Sequence, residues 1–390
     1  MVKINVGVFF GGRSVEHEIS IISALQVIHS IDRNKYNVVP VYITKRGQFY
    51  TGEALTDIQN YRDLDRLLNR SKQIVISNHN GEKVITEYPG SMFRKGRLGT
   101  LDVALPVVHG TNVEDGTLQG YLEMLDLPYA GCNVLSSALG MDKIAMRMVL
   151  KEAGLPVLDY VWFYSKRWFS DPAGIYEEIE SRLAYPLIVK PANSGSSVGI
   201  TTAADREELE DALDLASSFS NRIIVEHKVV SLREINCSVL GDYEKAVPSV
   251  CEEPVSTEQI LSYKDKYMSE GGKGMSGAAR QLPANISAEK TALIQELAVK
   301  TFHVLDCSGV SRIDFLIDTD LDQVYVNEIN TIPGSLSFYL WEASGKSFTE
   351  LTEELIQLAL KRTRERDNLV FSYETNILAM KGKGGAKGIK

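Results

Sequence analysis

Between Ser311 and Gly334 the chain reads SRIDFLIDTDLDQVYVNEINTIPG, with charged residues at spacings that suit metal and phosphate chemistry. Two apolar runs, Ile313–Phe315–Ile317 and Val324–Val326, flank a polar break at Thr319 to Gln323, the pattern of a β-hairpin. Side chains alternate along a strand, so Arg312 and Asp314 share one face, as do Glu328 and Asn330. With residues 319–323 as the loop, Asp314 stands opposite Glu328 and Arg312 opposite Asn330. Like charges directly opposed destabilise a sheet. Two carboxylates and an amide carbonyl become favourable neighbours when a hard divalent cation takes their oxygens, as Mg²⁺ does beside substrate phosphates. A solvated polar face on an edge hairpin would carry the same residues. The Pro333–Gly334 that follows favours a metal–phosphate centre, because glycine lets a backbone N–H approach a ligand closely, where Arg312 would reach.

Four other stretches could contribute chemistry. Tyr185 to Lys190 (YPLIVK) reads as a strand ending in a lysine, followed by the loop PANSGSSVG at 191–199. Small residues there expose successive N–H groups and hydroxyls to a phosphate, and Lys190 adds a point charge. Val2 to Phe10 reads as a buried parallel strand ending in Gly11–Gly12, with a helix from about Ser14 whose Ile19, Ile22 and Val27 face the core. It matches neither GxGxxG nor a Walker A loop, so alone it fits an ordinary tight turn equally well. Glu16 and His17 nevertheless fall at the strand's C-terminal edge, where open α/β sheets bind ligands, with Glu16 near the helix's positive end. Val103 to Val108 leads into HGTNVEDG at 109–116, where glycines bracket acids and a histidine; His109 could be a site residue or a structural one. Lys264, Lys266 and Tyr267 open a Gly-, Ser- and Lys-rich stretch, Ser262 to Ala284, that suits a lid over an anionic substrate or a solvated excursion.

The elements that must position these residues follow from periodicity. Tyr36 to Ile43 is a second strand, and Gly47 to Gly99 reads as a polar, irregular insertion. Gly116 to Leu127 is a short helix. Ser136 to Ala153 is one helix carrying Lys143, by itself an ordinary surface charge, and Gly154–Leu155–Pro156 stops it. Arg222 to Glu226 is a strand, and Glu234 lies on the next. Ser287 and Ser347 cap two further helices, the first packing behind the hairpin. With 390 residues, 44% apolar, 24% charged and a net charge of −9, the chain suits two or three soluble domains. The acidic balance argues against a nucleic-acid partner, no apolar run suits a membrane span, and the N-terminus lacks a signal-peptide pattern. Cys132, Cys237, Cys251 and Cys307 lie far apart without CxxC or zinc spacing, as expected of reduced thiols in the cytoplasm. The tail from Met380, KGKGGAKGIK, is too polar and glycine-rich to fold alone.

Taken together, GGRSVEHEIS, HGTNVEDGTLQG, LPYAGCNVLSSALGMDK, IVKPANSGSSVGI, REI, KDKY, SRIDF and NEINTIPG resemble, in order, the D-alanine–D-alanine ligase family of the ATP-grasp superfamily. The resemblance leaves 44–100 and the tail uncovered. It implies an α/β protein of three-domain ATP-grasp architecture: a parallel-sheet N-terminal domain (1–132), and central (133–225) and C-terminal (226–372) α+β domains clasping ATP, before a basic tail (373–390). Lys143, Lys190 and Lys266 would bind the nucleotide phosphates, Glu226 would mark the adenine hinge, Glu234 the ribose, and Ser196 and Ser197 the closing loop. Asp314, Glu328 and Asn330 would hold two Mg²⁺ ions, with Mn²⁺ able to replace them. Glu16, with His109 nearby, would receive the first amino acid's ammonium, and Glu16, Ser196 and Tyr267 would form a triad joining the domains. Arg312 and the Gly334 N–H would stabilise the oxyanion.

The family's Thr and Ser–Met or Ser–Leu pair after Pro–Gly has no clean counterpart in Ser335–Leu–Ser–Phe–Tyr–Leu–Trp341, so Ser335 and Ser337 are the candidates for the acceptor's carboxylate, Ser337 the better placed. The implied activity is ADP-forming ligation of two D-alanines for peptidoglycan precursors by a cytoplasmic homodimer acting on small molecules. A relative with another acceptor (D-Ser, D-lactate or another amino acid) and a non-catalytic nucleotide-binding protein are the alternatives, although Lys266–Tyr267 favours dipeptide formation over the lactate ester.

Overall fold

The computed structural model describes residues 3–90, 96–193, 199–254 and 280–371. The expectations for Ser196, Ser197, Lys266, Tyr267 and the basic tail lie outside the described residues.

Three sheets form the frame. The first contains β1 (Ile4–Gly11), β2 (Tyr36–Ile43), β3 (Phe49–Thr51), β4 (Lys72–His79), β5 (Glu82–Glu87), β6 (Arg97–Leu101) and β7 (Val103–Pro106), in the order β6-β5-β4-β3-β2-β1-β7. Among its described strands only β2, β1 and β7 run parallel to one another. The stretch 47–99, expected to be irregular, instead supplies four strands, which pair antiparallel and widen the sheet. Short strands with few apolar residues, such as Ile74, Ile76, Val84 and Ile85, left little periodic signal. Helix His17–Ser30 starts three residues later than expected, at a buried His17 whose Nδ1 lies 2.7 Å from the Gly12 carbonyl and whose Nε2 lies 2.9 Å from the Tyr42 hydroxyl. Ile19 and Val27 face the core, but Ile22 is exposed, because it lies about 200° around the helix from Ala24.

The second sheet, ordered β10-β9-β11-β8, comprises β8 (Tyr160–Tyr164), β9 (Leu187–Pro191), β10 (Thr201–Ala203) and β11 (Arg222–His227). With helices Pro172–Glu180 and Arg206–Phe219 it encloses a core of its own, from Val161 and Ile175 to Leu213 and Val225. The third, ordered β14-β13-β12-β15-β16, comprises β12 (Leu232–Gly241), β13 (Ala246–Pro254), β14 (Arg280–Gln281), β15 (Gly309–Asp318) and β16 (Gln323–Asn330). Helix Ala288–Val304, capped by Ser287, covers one face through Ile294, Ala298 and Phe302. Helix Phe348–Arg366, opened by a Ser347–Glu350 capping box, sends Leu351, Leu355 and Ile356 into the core of the first sheet. Among the described residues no helix is long and apolar enough to cross a membrane.

Two local expectations change in ways that matter for the site. The helix expected over 136–153 is two helices, Val134–Met141 and Lys143–Glu152. Asp142 breaks it: its backbone is extended, and its carboxylate accepts from Ile144 N and Ala145 N. Lys143 therefore opens a helix, and its own N–H donates to the Ala192 carbonyl just beyond β9. In the hairpin, Asp318 pairs with Gln323, leaving a four-residue loop rather than five. A bulge at Asn327 then restores the expected partners, Asp314 with Glu328 and Arg312 with Asn330. The cysteines, distant in sequence, meet in pairs: Cys237 opposes Cys251 across β12 and β13, and Cys132 and Cys307 are buried together in the core beneath the third sheet.

Candidate functional site

Strand register builds a polar row across the third sheet. Glu252, Asn236, Asp314 and Glu328 stand side by side on β13, β12, β15 and β16. Their chain neighbours Cys251, Cys237, Ile313, Phe315 and Ile329 point into the core beneath, so alternation turns the row to the opposite face. Arg312 grips Asp314 with both arms, Nε to Oδ1 at 2.6 Å and Nη2 to Oδ2 at 2.7 Å. Asn330 Nδ2 donates to Asp314 Oδ2 at 3.1 Å. Lys143 Nζ lies 3.7 Å from Glu328 Oε2. The structure thus brings Asp314, Glu328, Asn330 and Arg312 together, as the hairpin pattern implied. Among the described residues no three His, Cys, Asp or Glu side chains gather as a metal site; the expected set has two carboxylates and an amide, all hard oxygen donors. Glu234 lies two residues before Asn236 on the same face of β12.

Beside this row lies a buried cluster of opposite charges. Lys190, near the end of β9, holds Glu226 Oε2 at 2.6 Å, and Arg147 Nε lies 2.5 Å from Glu226 Oε1. The Arg147 contact brings charges together without an aligned hydrogen bond. Arg147 sits one turn after Lys143 and reaches the bulge, donating from Nη2 to Asn327 Oδ1 at 3.3 Å. Burial would raise the Glu226 carboxyl, but Arg147, Lys190 and Lys143 outweigh it and hold it below its ordinary range. Burial depresses the Lys143 ammonium, helped by Lys190 and opposed by Glu328. The Glu226 side chain, expected to mark the adenine end, points into this cluster as the counter-ion of Lys190. Arg147 escaped the sequence reading, although an arginine between Met146 and Leu150 on a buried helical stripe was the available signal.

The loops of the first sheet close on the chain that follows the hairpin. Glu16 lies just before helix His17–Ser30, so close to Gly110 that a Cβ there would come within 2.8 Å of its Oε2. His109 is a strut, its Nδ1 2.9 Å from the Ile332 carbonyl and its Nε2 3.0 Å from Ser23 Oγ. Burial lowers its pKa against the pull of Glu16, which favours the neutral ring. Glu114 is a second strut that sequence reasoning passed over, despite its place between the glycines of HGTNVEDG. It accepts from Gly110 N at 3.0 Å, Ile332 N at 2.9 Å and the Thr331 hydroxyl at 3.4 Å. Burial and the Glu16 charge nevertheless push its carboxyl up to about 8.

After Gly334, Ser335, Leu336 and Ser337 all adopt left-handed backbone, with φ of 50°, 56° and 51°. Each such residue costs roughly 1–2 kcal/mol, so the turn needs anchoring. Ser335 supplies it: its N–H donates to Ser23 Oγ at 3.0 Å and its hydroxyl to Gln26 Oε1 at 2.5 Å. Ser337 differs: its hydroxyl is fully buried and, among the described residues, has no hydrogen-bond partner.

Comparison with known proteins matches both halves of the chain. The family model described as D-ala D-ala ligase N-terminus covers residues 5–132, and that described as D-ala D-ala ligase C-terminus covers 149–357. The D-alanine–D-alanine ligase of Thermosipho melanesiensis is 42% identical over 378 residues, spanning 97% of this chain and 99% of that protein. The D-alanine-D-alanine ligase structure from Coxiella burnetii superposes with a TM-score of 0.78 at 31% identity, covering 94% of this chain and 96% of that one. The VanG D-Ala:D-Ser ligase of Enterococcus faecalis gives 0.77 at 33% identity, covering 92% and 100%.

Proposed function

The chain belongs to the D-alanine–D-alanine ligase family, and from that premise we infer that it joins two D-alanines, using ATP, to supply a peptidoglycan precursor. The observation that carries this reading is the gathering of Lys143, Lys190, Arg312 and the Asp314–Glu328–Asn330 set around one polar sheet face.

In the first step the donor's carboxylate oxygen attacks the γ-phosphorus of ATP, the bond to the β-phosphate bridging oxygen breaks, and ADP leaves an acyl phosphate. Lys143 and Lys190 hold the phosphates, with Glu226 and Arg147 fixing Lys190 from beneath. Asp314, Glu328 and Asn330 fit Mg²⁺ as oxygen donors, and the ion, or Mn²⁺ in its place, would offset phosphoryl charge. Glu16 receives the donor's ammonium, while His109 and Glu114 tie the neighbouring 109–116 loop to Ile332. In the second step the acceptor's amine attacks the acyl carbon, phosphate departs and the nitrogen gives up its proton. Arg312 and the Gly334 N–H face the oxyanion, a role whose loss typically costs about 10²–10³ in rate. The buried Ser337 hydroxyl, without a partner among the described residues, supports its assignment to the acceptor carboxylate, since Ser335 is committed to the helix. Ser196, Ser197, Lys266 and Tyr267 keep their proposed places in the closing loop and lid, and Glu234 that at the ribose.

Phosphate release from ATP, measured against D- and L-amino acids singly and in pairs, tests the reading. D-alanine alone should give one phosphate per D-Ala–D-Ala formed. Release without dipeptide, or dipeptide only with a second amino acid such as D-serine, would replace it. We propose a cytoplasmic homodimer, which sedimentation of the purified protein would check.

A further inference from the structure

The polar row of the third sheet runs past the hairpin, onto residues of β12, β13 and β14 (Asn236, Glu252 and Arg280) that the reaction described above does not use. Glu252 is a buried carboxylate, 3% exposed, on β13. It accepts from the Tyr339 hydroxyl at 2.6 Å and from Asn236 Nδ2 at 3.1 Å, and its Oε2 lies 3.4 Å from Arg280 Nη1. The Arg280 guanidinium lies 3.9 Å above the Tyr339 ring, a cation–π contact. Glu252 is also near enough to Arg312 for its charge to act on it, and Tyr339 bonds to Glu252. Two arginines therefore flank one carboxylate and one phenol.

Sheet order gives this cluster a direction. Arg312 lies on β15, with β16 on one side and β12, β13 and β14 on the other. Lys143 reaches Glu328 on β16, so the phosphate-binding groups lie to that side. Arg280, Glu252 and Asn236 lie to the opposite side. Along the chain, the same direction runs from Gly334 through the unpaired hydroxyl of Ser337 to Tyr339, which opens onto Arg280. Beyond the oxyanion the reaction has one more charge to bind, the acceptor's carboxylate, and a desolvated carboxylate without partners is costly. A hydroxyl alone leaves that charge uncompensated. A guanidinium has five N–H donors in a planar fork, enough to hold Glu252 and a second carboxylate together.

We propose that Arg280 binds the carboxylate of the acceptor amino acid, with Glu252 and Tyr339 as the residues that position it; this rests on the ligase reading above. Selection for a free α-carboxylate follows, because a planar fork recognises a carboxylate and has no such match in an amide.

The test uses the full-length protein, with wild type, Arg280→Gln, Arg280→Lys and Glu252→Gln. Donor and acceptor KM are determined separately, and D-alaninamide serves as an acceptor lacking the carboxylate. Arg280→Gln should raise the acceptor KM at least tenfold and leave the donor KM within twofold. Arg280→Lys should recover part of the loss, and Glu252→Gln should show a smaller rise of the same kind. With D-alaninamide, wild type and Arg280→Gln should have equal kcat/KM, which a merely structural role would not produce. An unchanged acceptor KM in Arg280→Gln, or equal losses with D-alanine and D-alaninamide, overturns the proposal while the ligase reading stands. A wild-type protein that makes no dipeptide overturns both.

Discussion

Arg147→Met would leave the Glu226 carboxylate buried with half its compensation. The Arg147 and Glu226 side chains are each about 1% exposed, their charges 2.5 Å apart, and Lys190 holds the other carboxylate oxygen at 2.6 Å. Removing one partner of a buried pair costs about 3–5 kcal/mol. Lys190 remains and the Arg147 N–H is poorly aimed, so the lower end applies, about 3 kcal/mol. Unit charges 4 Å apart at an effective dielectric of 20 interact by about 4 kcal/mol, the same order. The loss also has a pH signature. Glu226 is held below its ordinary pKa, mainly by Arg147 and Lys190 against the effect of burial. A carboxyl depressed in the folded state adds stability above its unfolded pKa and loses it as pH falls through the folded one. The gap between wild type and variant should therefore be full at pH 7 and narrow in acid as Glu226 takes a proton. Trp162 and Trp168 lie in the second sheet's unit and report its unfolding in denaturant. A loss below about 1 kcal/mol at pH 7, or a gap that does not narrow in acid, would refute this account of the cluster.

Three further outcomes are expected. Asp314→Asn and Glu328→Gln should each abolish Mg²⁺-dependent turnover with circular dichroism unchanged; wild-type-like activity in either would remove the metal assignment. Ser337→Ala should raise the acceptor KM at least tenfold, since a hydrogen bond to a charged group is worth about 1.5–3 kcal/mol. Ser335→Ala should instead loosen the turn anchored on Ser23 and Gln26, lowering thermal stability, and the reverse pattern would exchange the two roles. For Glu114, whose carboxyl is raised to about 8, the folded state binds a proton that the unfolded state lacks between about pH 4.5 and 8. Stability should fall with rising pH there, by up to about 1.4 kcal/mol per unit. Melting curves across that range should lose this slope in Glu114→Gln, and an equal slope in the variant would place the titration elsewhere.

Much of the site was legible because its signals are local. Alternation placed Arg312 with Asp314 and Glu328 with Asn330, and hairpin pairing opposed them without reference to the rest of the chain. The bulge at Asn327 made up for a loop one residue shorter than expected. The serine caps at Ser287 and Ser347 were equally local. The family resemblance implied roles for Glu16 and Lys143, which their residue types alone left open, and agreed with the phosphate reading of Lys190. Tertiary structure decided what depends on distant neighbours. Asp142 looked like one more helical residue until its carboxylate capped the helix that carries Lys143. Ser335 and Ser337 were alike as sequence, and only Gln26, from a helix more than 300 residues earlier, separates the committed hydroxyl from the unpaired one. Glu226 was named only through the family resemblance and with another neighbour in view, Arg147 left only its place on a buried helical stripe as a signal, and Glu252 and Arg280 carried none. A charged side chain can be buried only where opposite charges or hydrogen-bond partners meet it, and the fold gathers those partners from strands and helices that the sequence holds far apart.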